Sequence, residues 1–254
     1  AGSIFPHFYF RSGIIDPWFN LLILLAIWFF TRLGSAEVLV SVKQRLIFSA
    51  LWGTFTGLAI LTKGPTALLI IGLVAGITYL NDLFRIVGIR SLSLNFLPRF
   101  TLRFTDIVVF LFFTLLVGGS WFLLQALNGQ ADMVMKFILY QVRLFTIPDA
   151  GHGGHWSYHF IVLLVGVFPA SLFALMRFRP IKDQQEERIQ FHGVMLILFW
   201  VVLILFTIVK TKIVHYSSLC YYPLTFLAAL AIRDMLHGTR PWRKWLSALL
   251  IVFA

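Results

Sequence analysis

The stretch that decides the fold is residues 46–81, LIFSALWGTFTGLAILTKGPTALLIIGLVAGITYLN. Its one charged residue, Lys63, separates two continuous apolar runs over 46–62 and 64–81. Each run has about the 17–25 residues that a helix needs to cross hydrocarbon. Neither run alternates apolar and polar residues, as a strand of a membrane barrel would. The stretch therefore predicts two transmembrane helices joined by a tight turn.

The whole chain has the same character. Of its 254 residues, 59% are hydrophobic and 12% are charged, and the mean hydropathy is +0.89. Soluble domains carry about 25% charged residues, so a chain this apolar cannot cover itself with a water-compatible surface. In lipid, only helices and closed barrels satisfy every backbone hydrogen bond, and continuous apolar runs favour helices. We predict a single all-α transmembrane bundle over residues 1–254.

Charged residues divide the chain into seven complete spans and an eighth that begins near Trp245. Two spans contain Pro169 and Pro223, and we expect each proline to kink its helix. Because the eighth run is cut short and no initiator Met is present, we expect an internal fragment of a longer protein. The predicted spans are 17–31, 46–62, 64–81, 107–127, 160–176, 191–209 and 216–232.

The net charge of +11 would suggest nucleic acid for a soluble protein, but here basic loops explain it and no nucleic acid is expected. Alternate loops carry fifteen and six of the 21 lysines and arginines. Cytoplasmic loops hold the excess, so the richer loops are placed in the cytoplasm and expected to be solvated connectors. The other loops then face the periplasm or exterior of the plasma (inner) membrane. Cys220 stands alone, so no disulfide framework is predicted.

The outer face collects the residues that could carry chemistry. Lys63 is either a snorkelling lysine at a tight turn or a cation facing a phosphate. Lys210, Lys212 and His215 are either flanking charges at a helix end or a second cationic cluster for the same anion. Asp16 precedes a proline, which is typical of a helix cap, and its carboxylate could also hold a sugar or activate an acceptor.

Residues 128–159 form an outer segment that is long for a connector. Its first half, 131–145, is apolar with interspersed charges and predicts a helix lying in the membrane interface. Its second half, 149–159, contains three histidines and an aspartate. His152 and His155 could ligate a divalent metal ion there. Histidines in a glycine-rich loop are also explained as solvated groups, or as contacts to a phosphate or sugar.

Four motifs, taken in order, resemble a known family. They are RSGIIDP (11–17), LAILTKGP (58–65), GHGGHWSY (151–158) and KIVHY (212–216), with Phe168-Pro169 and Pro223 in the spans that follow the last two. This order resembles the ArnT-like and protein O-mannosyltransferase-like (glycosyltransferase family 39-like) enzymes of the GT-C fold. The resemblance covers nearly the whole chain. Its most specific parts are the TKGP turn and the KxxHY element.

The resemblance implies a membrane enzyme that transfers a hexosyl or pentosyl group from a polyprenyl-phosphate carrier. The acceptor would be lipid A, a protein or another glycan on the outer face. It implies that Asp16 lies at the sugar and acceptor site, and Lys63 near the carrier phosphate. The other carrier-binding positions that it implies are Arg143, Tyr158, Lys212 and His215.

Two departures from the family pattern accompany the resemblance. The family's main catalytic acid lies in an outer loop that we expect to precede this chain, and His155 stands where members often have proline. Because a lipid phosphate leaves, the reaction needs no nucleotide-bound metal. The alternative is a transporter or flippase of a lipid-linked or anionic solute, which would also have outer cations. Transporters tend to have internal repeats and broken midplane helices, and we find no repeat and no charge in mid-span.

Overall fold

The computed structural model describes residues 3–34, 41–86, 100–146, 153–178 and 186–253, and these residues are almost entirely helical. The predicted all-α membrane fold is therefore confirmed. A 3₁₀ helix (Val214–Cys220) leads directly into α11. The α-helices are α1 (Ile4–Arg11), α2 (Asp16–Gly34), α3 (Val42–Lys63), α4 (Thr66–Ile86), α5 (Phe104–Gly118), α6 (Ser120–Leu127), α7 (Ala131–Thr146), α8 (Tyr158–Gly166), α9 (Ala170–Leu175), α10 (Glu186–Ile208), α11 (Tyr221–Leu236) and α12 (Lys244–Phe253).

Among the described residues, five helical segments are long and apolar enough to cross a membrane. They are α2, α3, α4, α10, and the 3₁₀ helix together with α11, and they match five of the predicted spans. The predicted span 107–127 is the pair α5 and α6, bent by 49°. The predicted span 160–176 is divided into the short helices α8 and α9. The break between them falls at Pro169, because proline has no N–H to donate to the helical hydrogen-bond pattern.

Successive spans run in opposite directions, so their ends meet at two levels. At one, called here the upper end, α3 and α10 end and α2, α4 and the 3₁₀ helix begin. Helices α3 and α5 pack closely against each other. A Cβ built on Gly53 would lie 2.4 Å from the carbonyl oxygen of Phe110, and one built on Gly57 would lie 2.7 Å from the backbone nitrogen of Gly118. Small residues spaced by four let membrane helices approach this closely.

The opposite, lower end is held by buried ion pairs. The Arg45 guanidinium contacts the Asp106 carboxylate, and both side chains are less than one-tenth exposed. Arg177 Nε lies 3.0 Å from Asp234 Oδ2, also in the interior. The Nε2 atom of His192 lies 2.8 Å from the carbonyl oxygen of Arg177. The expectation that the basic residues of this end are solvated is therefore wrong at Arg45 and Arg177, because each finds a carboxylate on a neighbouring helix.

Candidate functional site

A cavity of about 270 Å³ opens at the upper end of the bundle. It lies where the ends of five helical elements meet, so it collects residues that are far apart in sequence. Three of the predicted site residues, Asp16, Lys63 and His215, line the same cavity. The full lining is Asp16, Phe19, Asn20, Lys63, Thr66, Ile70, Tyr140, Gln141, Phe206, Val209, His215, Tyr216 and Leu219.

An ion pair between Asp16 and Lys63 forms the polar centre of this cavity. Lys63 Nζ lies 2.5 Å from Asp16 Oδ1; the lysine side chain is 32% exposed and the aspartate side chain 8%. Asp16 is the first residue of α2 and Lys63 is the last residue of α3. An acidic group at a helix start and a basic group at a helix end each interact favourably with the helix dipole. Asp16 thus begins α2, and its carboxylate reaches across to a second helix, while its role as a helix cap stays a prediction.

Aromatic rings surround the lysine ammonium. Lys63 Nζ lies 5.7 Å from the ring centroid of Phe19 and 5.4 Å from that of Tyr216. A cation within about 6 Å of a ring face is attracted by the ring quadrupole. The rings also exclude water from part of the ion pair, which strengthens electrostatic interactions at that point. The lysine is therefore held in place from several sides while about a third of it stays open to the cavity.

Sequence reasoning missed an amide that lies one turn below Asp16. Asn20 Nδ2 donates to Tyr9 Oη at 2.6 Å and to Ser218 Oγ at 2.8 Å. These bonds join α1, α2 and the 3₁₀ helix beneath the cavity. Asn20 follows Asp16 by four residues and therefore lies on the same face of α2. A polar residue at that spacing within an apolar run was the signal that could have identified it.

Helix α7 supplies another wall of the cavity. Tyr140 and Gln141 line it, and neither was singled out from the sequence. Helix α7 is docked at Gly64, where a Cβ would lie 2.8 Å from Phe137 Cζ and 3.7 Å from Gln141 Cδ. Gly64 has φ of +85°, a conformation that favours glycine, and its N–H donates to the carbonyl oxygen of Ile60 at 2.7 Å. The TKGP turn thus ends α3 and makes room for α7.

A second cavity, of about 690 Å³, adjoins the first. Lys63 and Gln141 line both cavities, so they stand on the boundary between them. The second cavity lies between α3, α6 and α7 and is lined mainly by apolar side chains, including Trp121, Leu124 and Phe137. The lysine ammonium therefore lies where the two cavities meet.

The structure places Lys212 differently from Lys63. Its ammonium donates to the carbonyl oxygens of Phe206, Thr207 and Val209 at 2.9, 2.6 and 2.7 Å. A lysine in this position satisfies carbonyls that the end of a helix leaves without intrahelical partners. The helix-end interpretation of Lys212 thus describes its geometry here. Lys210, two residues earlier, is exposed.

His159 supports the segment that carries His215 and Tyr216. Its imidazole is fully buried, and Nδ1 lies 3.1 Å from Ser217 Oγ. Burial lowers the pKa of His159 to about 4, and the nearby Lys212 cation acts in the same direction. The ring is therefore neutral near pH 7. A β-bridge between Gly153 and Thr211 ties the same two segments together.

The remaining predicted site residues do not line the first cavity. Arg143 lies on an exposed part of α7, and Tyr158 is half-buried at the start of α8, close to Gly154. His155 is exposed and its Nδ1 lies 2.8 Å from Ser157 Oγ. His152 lies outside the described residues, and among those that are described no group of three or more metal-ligating side chains comes together. The metal site is thus left as a prediction.

The crystal structure of ArnT from Cupriavidus metallidurans bound to undecaprenyl phosphate is similar to this chain, with a TM-score of 0.61 and 20% sequence identity. The match covers 87% of this chain and 37% of the ArnT chain. The chain thus spans just over a third of the protein that it matches. No protein-family model and no curated protein matches the sequence. The chain has the ArnT-like fold that its motifs predict, and at this identity the likeness extends to the fold alone.

Proposed function

We propose that this chain forms the carrier-binding part of a glycosyltransferase of the plasma membrane. The protein transfers a sugar from a polyprenyl phosphate to an acceptor on the outer face of that membrane. One observation carries the proposal: a partly exposed lysine faces a buried carboxylate in a cavity at the end of a bundle with the ArnT fold. The ArnT structure was solved with undecaprenyl phosphate bound, which supports polyprenyl phosphate as the ligand class for this cavity.

Lys63 is the group that binds the phosphate. An ammonium has three N–H donors, and the Asp16 carboxylate occupies one of them. The others are available to a phosphate oxygen, because about a third of the side chain is open to the cavity. Because Lys63 lies between the two cavities, we expect the phosphate at their boundary. The isoprenoid chain then extends toward the second cavity, between α3, α6 and α7, and the sugar enters the first, beside Asp16.

The chemistry is one displacement at the anomeric carbon. The bond between this carbon and the phosphate oxygen breaks, and its electron pair stays on the phosphate. The acceptor hydroxyl or amine forms the new bond and gives its proton to a carboxylate base. Lys63 stabilises the negative charge that develops on the departing phosphate, an effect that often dominates such catalysis. Asp16 orients the acceptor. The base is the carboxylate that the family carries in the outer loop expected to precede this chain. The displacement inverts the anomeric configuration.

The other predicted positions have supporting roles in the proposal. His215 lines the first cavity beside the ion pair and hydrogen-bonds the phosphate or the sugar. Arg143 and Tyr158 approach the carrier from α7 and from the start of α8. Lys212 contributes a direct phosphate contact only if it leaves the carbonyls at the end of α10. Lys63 is therefore expected to account for most of the phosphate affinity.

The test uses the full-length protein in detergent and a labelled polyprenyl-phosphate sugar. Removing Lys63 alone leaves the buried Asp16 carboxylate unpaired, so the informative variant is the neutral pair Asp16→Asn with Lys63→Met. A hydrogen bond to a charged group contributes about 1.5–3 kcal/mol, which corresponds to a roughly 10- to 100-fold loss of carrier affinity. Lys43→Met is the matched control, because Lys43 is exposed at the lower end of the bundle. Sugar transfer is measured alongside carrier binding.

Three outcomes separate the hypotheses. Transfer by the wild type, with loss in the neutral pair and none in the control, supports the enzyme and both site assignments. Transfer that survives in the neutral pair rejects the site. A wild type that leaves the donor intact with lipid, protein and glycan acceptors, yet moves it across liposome membranes, is a transporter. Asp16 would then serve as a helix start and ion-pair partner only.

A further inference from the structure

Among its described side chains, over residues 131–143, helix α7 packs against the bundle along one face. The packed face carries Phe137 and Gln141, which meet Gly64 at the end of α3. The ring of Phe137 also lies 6.3 Å from the rings of Trp121 and Phe122 in α6. Of the other α7 side chains that the structure describes, over residues 131–143, all but the half-buried Val134 are exposed. This surface is not uniform, and its two parts differ in chemistry.

One part is an apolar stripe. Met135, Leu139 and Val142 follow the spacing i, i+4 and i+7, so they share one face of the helix. Each of them is more than half exposed. The second part is a basic edge beside this stripe, formed by Lys136 and Arg143. Both residues are exposed, and they lie two helical turns apart on the same side.

An apolar stripe beside a basic edge is the pattern of helices that lie in the interface of a bilayer. Acyl chains cover the apolar residues, and basic residues beside them attract anionic headgroups. The position of α7 agrees with this pattern, because Tyr140 and Gln141 line the cavity at the upper end, where the spans stop. A contact with a protein alone would explain the stripe but gives no role to the adjoining cations.

We propose that α7 is a binding surface for anionic phospholipids. Met135, Leu139 and Val142 face the acyl chains, and Lys136 and Arg143 bind the lipid phosphates. Because Tyr140 and Gln141 lie on the same helix, the lipids that hold α7 also fix one wall of the cavity. The lipid contact stands independently of the proposed sugar transfer, whereas an effect on carrier binding rests on that function.

The first experiment locates the stripe in the full-length protein in liposomes. Cys220 is completely buried, so an environment-sensitive thiol label goes to an introduced cysteine. Met135→Cys lies on the stripe, and Met133→Cys, at an exposed position beyond the basic edge, is the matched control. We expect acyl-chain spin labels to quench position 135 at least several-fold more than position 133. Equal quenching, or a position 135 protected in both lipid and detergent, means that another surface covers the stripe and rejects the proposal.

The second experiment tests the headgroup, with liposomes of phosphatidylcholine alone or mixed with phosphatidylglycerol. Each basic residue near an anionic surface contributes about a fivefold gain in binding, the equivalent of about 1 kcal/mol. Phosphatidylglycerol should therefore increase quenching at position 135. In Lys136→Glu this increase should be at least about fivefold smaller than in the protein with Lys136. Lys43→Glu, at the lower end, should have no effect. Quenching that is independent of phosphatidylglycerol overturns anionic recognition. Because quenching is measured without any enzymatic activity, the lipid-binding proposal is tested separately from the proposed sugar transfer.

Discussion

The contact between α3 and α5 leads to a sharp prediction at Gly57. A Cβ at this position would lie 2.7 Å from the backbone nitrogen of Gly118 and 2.8 Å from Val117 Cβ. Carbon atoms prefer separations of about 3.5–4.0 Å, so the two helices must move apart if a methyl group is added. The obstacle is backbone and a β-branched side chain, neither of which can turn aside. Gly57→Ala should therefore separate α3 from α5.

The expected magnitude follows from two opposing effects. Overpacking a tight contact costs about 1–3 kcal/mol, while replacing a helical glycine by alanine gains about 0.5–1 kcal/mol. Gly72 in α4 provides the matched control, because a Cβ there meets nothing within 4 Å. Gly72→Ala receives the gain without the cost. The two variants should therefore differ in free energy of unfolding by about 1–3 kcal/mol, with Gly57→Ala the less stable.

The assay is reversible unfolding of the full-length protein in mixed micelles, with helix content followed as the denaturing detergent is increased. Because α3 ends at Lys63, Gly57→Ala should also weaken carrier binding, while Gly72→Ala leaves it unchanged. If the two variants unfold at the same detergent fraction, or if Gly57→Ala is the more stable, the close contact between α3 and α5 is refuted.

Three further predictions concern the upper end. Lys212→Met should lower the free energy of unfolding by about 1–3 kcal/mol, because it leaves carbonyls at the end of α10 without a donor. Amide hydrogen exchange at the end of α10 should then be faster in Lys212→Met and unchanged in the control Lys210→Met. Since the pKa of His159 is about 4 when folded and about 6.5 when unfolded, the unfolded chain takes up a proton first as the pH falls. The free energy of unfolding should therefore keep its full value above pH about 6.5 and fall by up to about 3 kcal/mol toward pH 4. If the unfolding free energy of a His159→Asn variant depends on pH as steeply as that of the wild type, this prediction is wrong. Gly64→Ala should displace α7, because φ of +85° strains alanine and its Cβ meets Phe137. Proteolysis should then cut α7 faster in Gly64→Ala than in the control Gly76→Ala, whose Cβ meets nothing within 4 Å.

The sequence predicts the fold well because apolar run length directly reflects the thickness of a bilayer. The same logic places Asp16 and Lys63 at one level, since each stands at the end of a run. It does not predict that they touch, because pairing depends on how each helix is rotated about its axis. The break at Pro169 was expected from the chemistry of proline alone.

Contacts that depend on how the chain turns between helices were beyond sequence reasoning. The chain curls back after α10, and this brings Lys212 under the carbonyls at the end of that helix. The charge pattern alone left both a structural and a phosphate-facing interpretation open for Lys212 and for Lys63. Tyr140 enters the cavity because Gly64 makes room for α7. Arg45 was counted as a loop charge because its partner, Asp106, lies 61 residues away in the chain.

The two ends of the bundle are fastened in different ways. At the lower end, Arg45 with Asp106 and Arg177 with Asp234 join neighbouring helices in the dry interior. At the upper end, the ion pair of Lys63 and Asp16 is partly open to a cavity. Breaking a buried pair costs several kcal/mol, whereas a ligand that offers a new partner can exchange with an open one. We therefore expect the upper ends of the helices to rearrange more readily than the lower ends when a ligand enters the cavity.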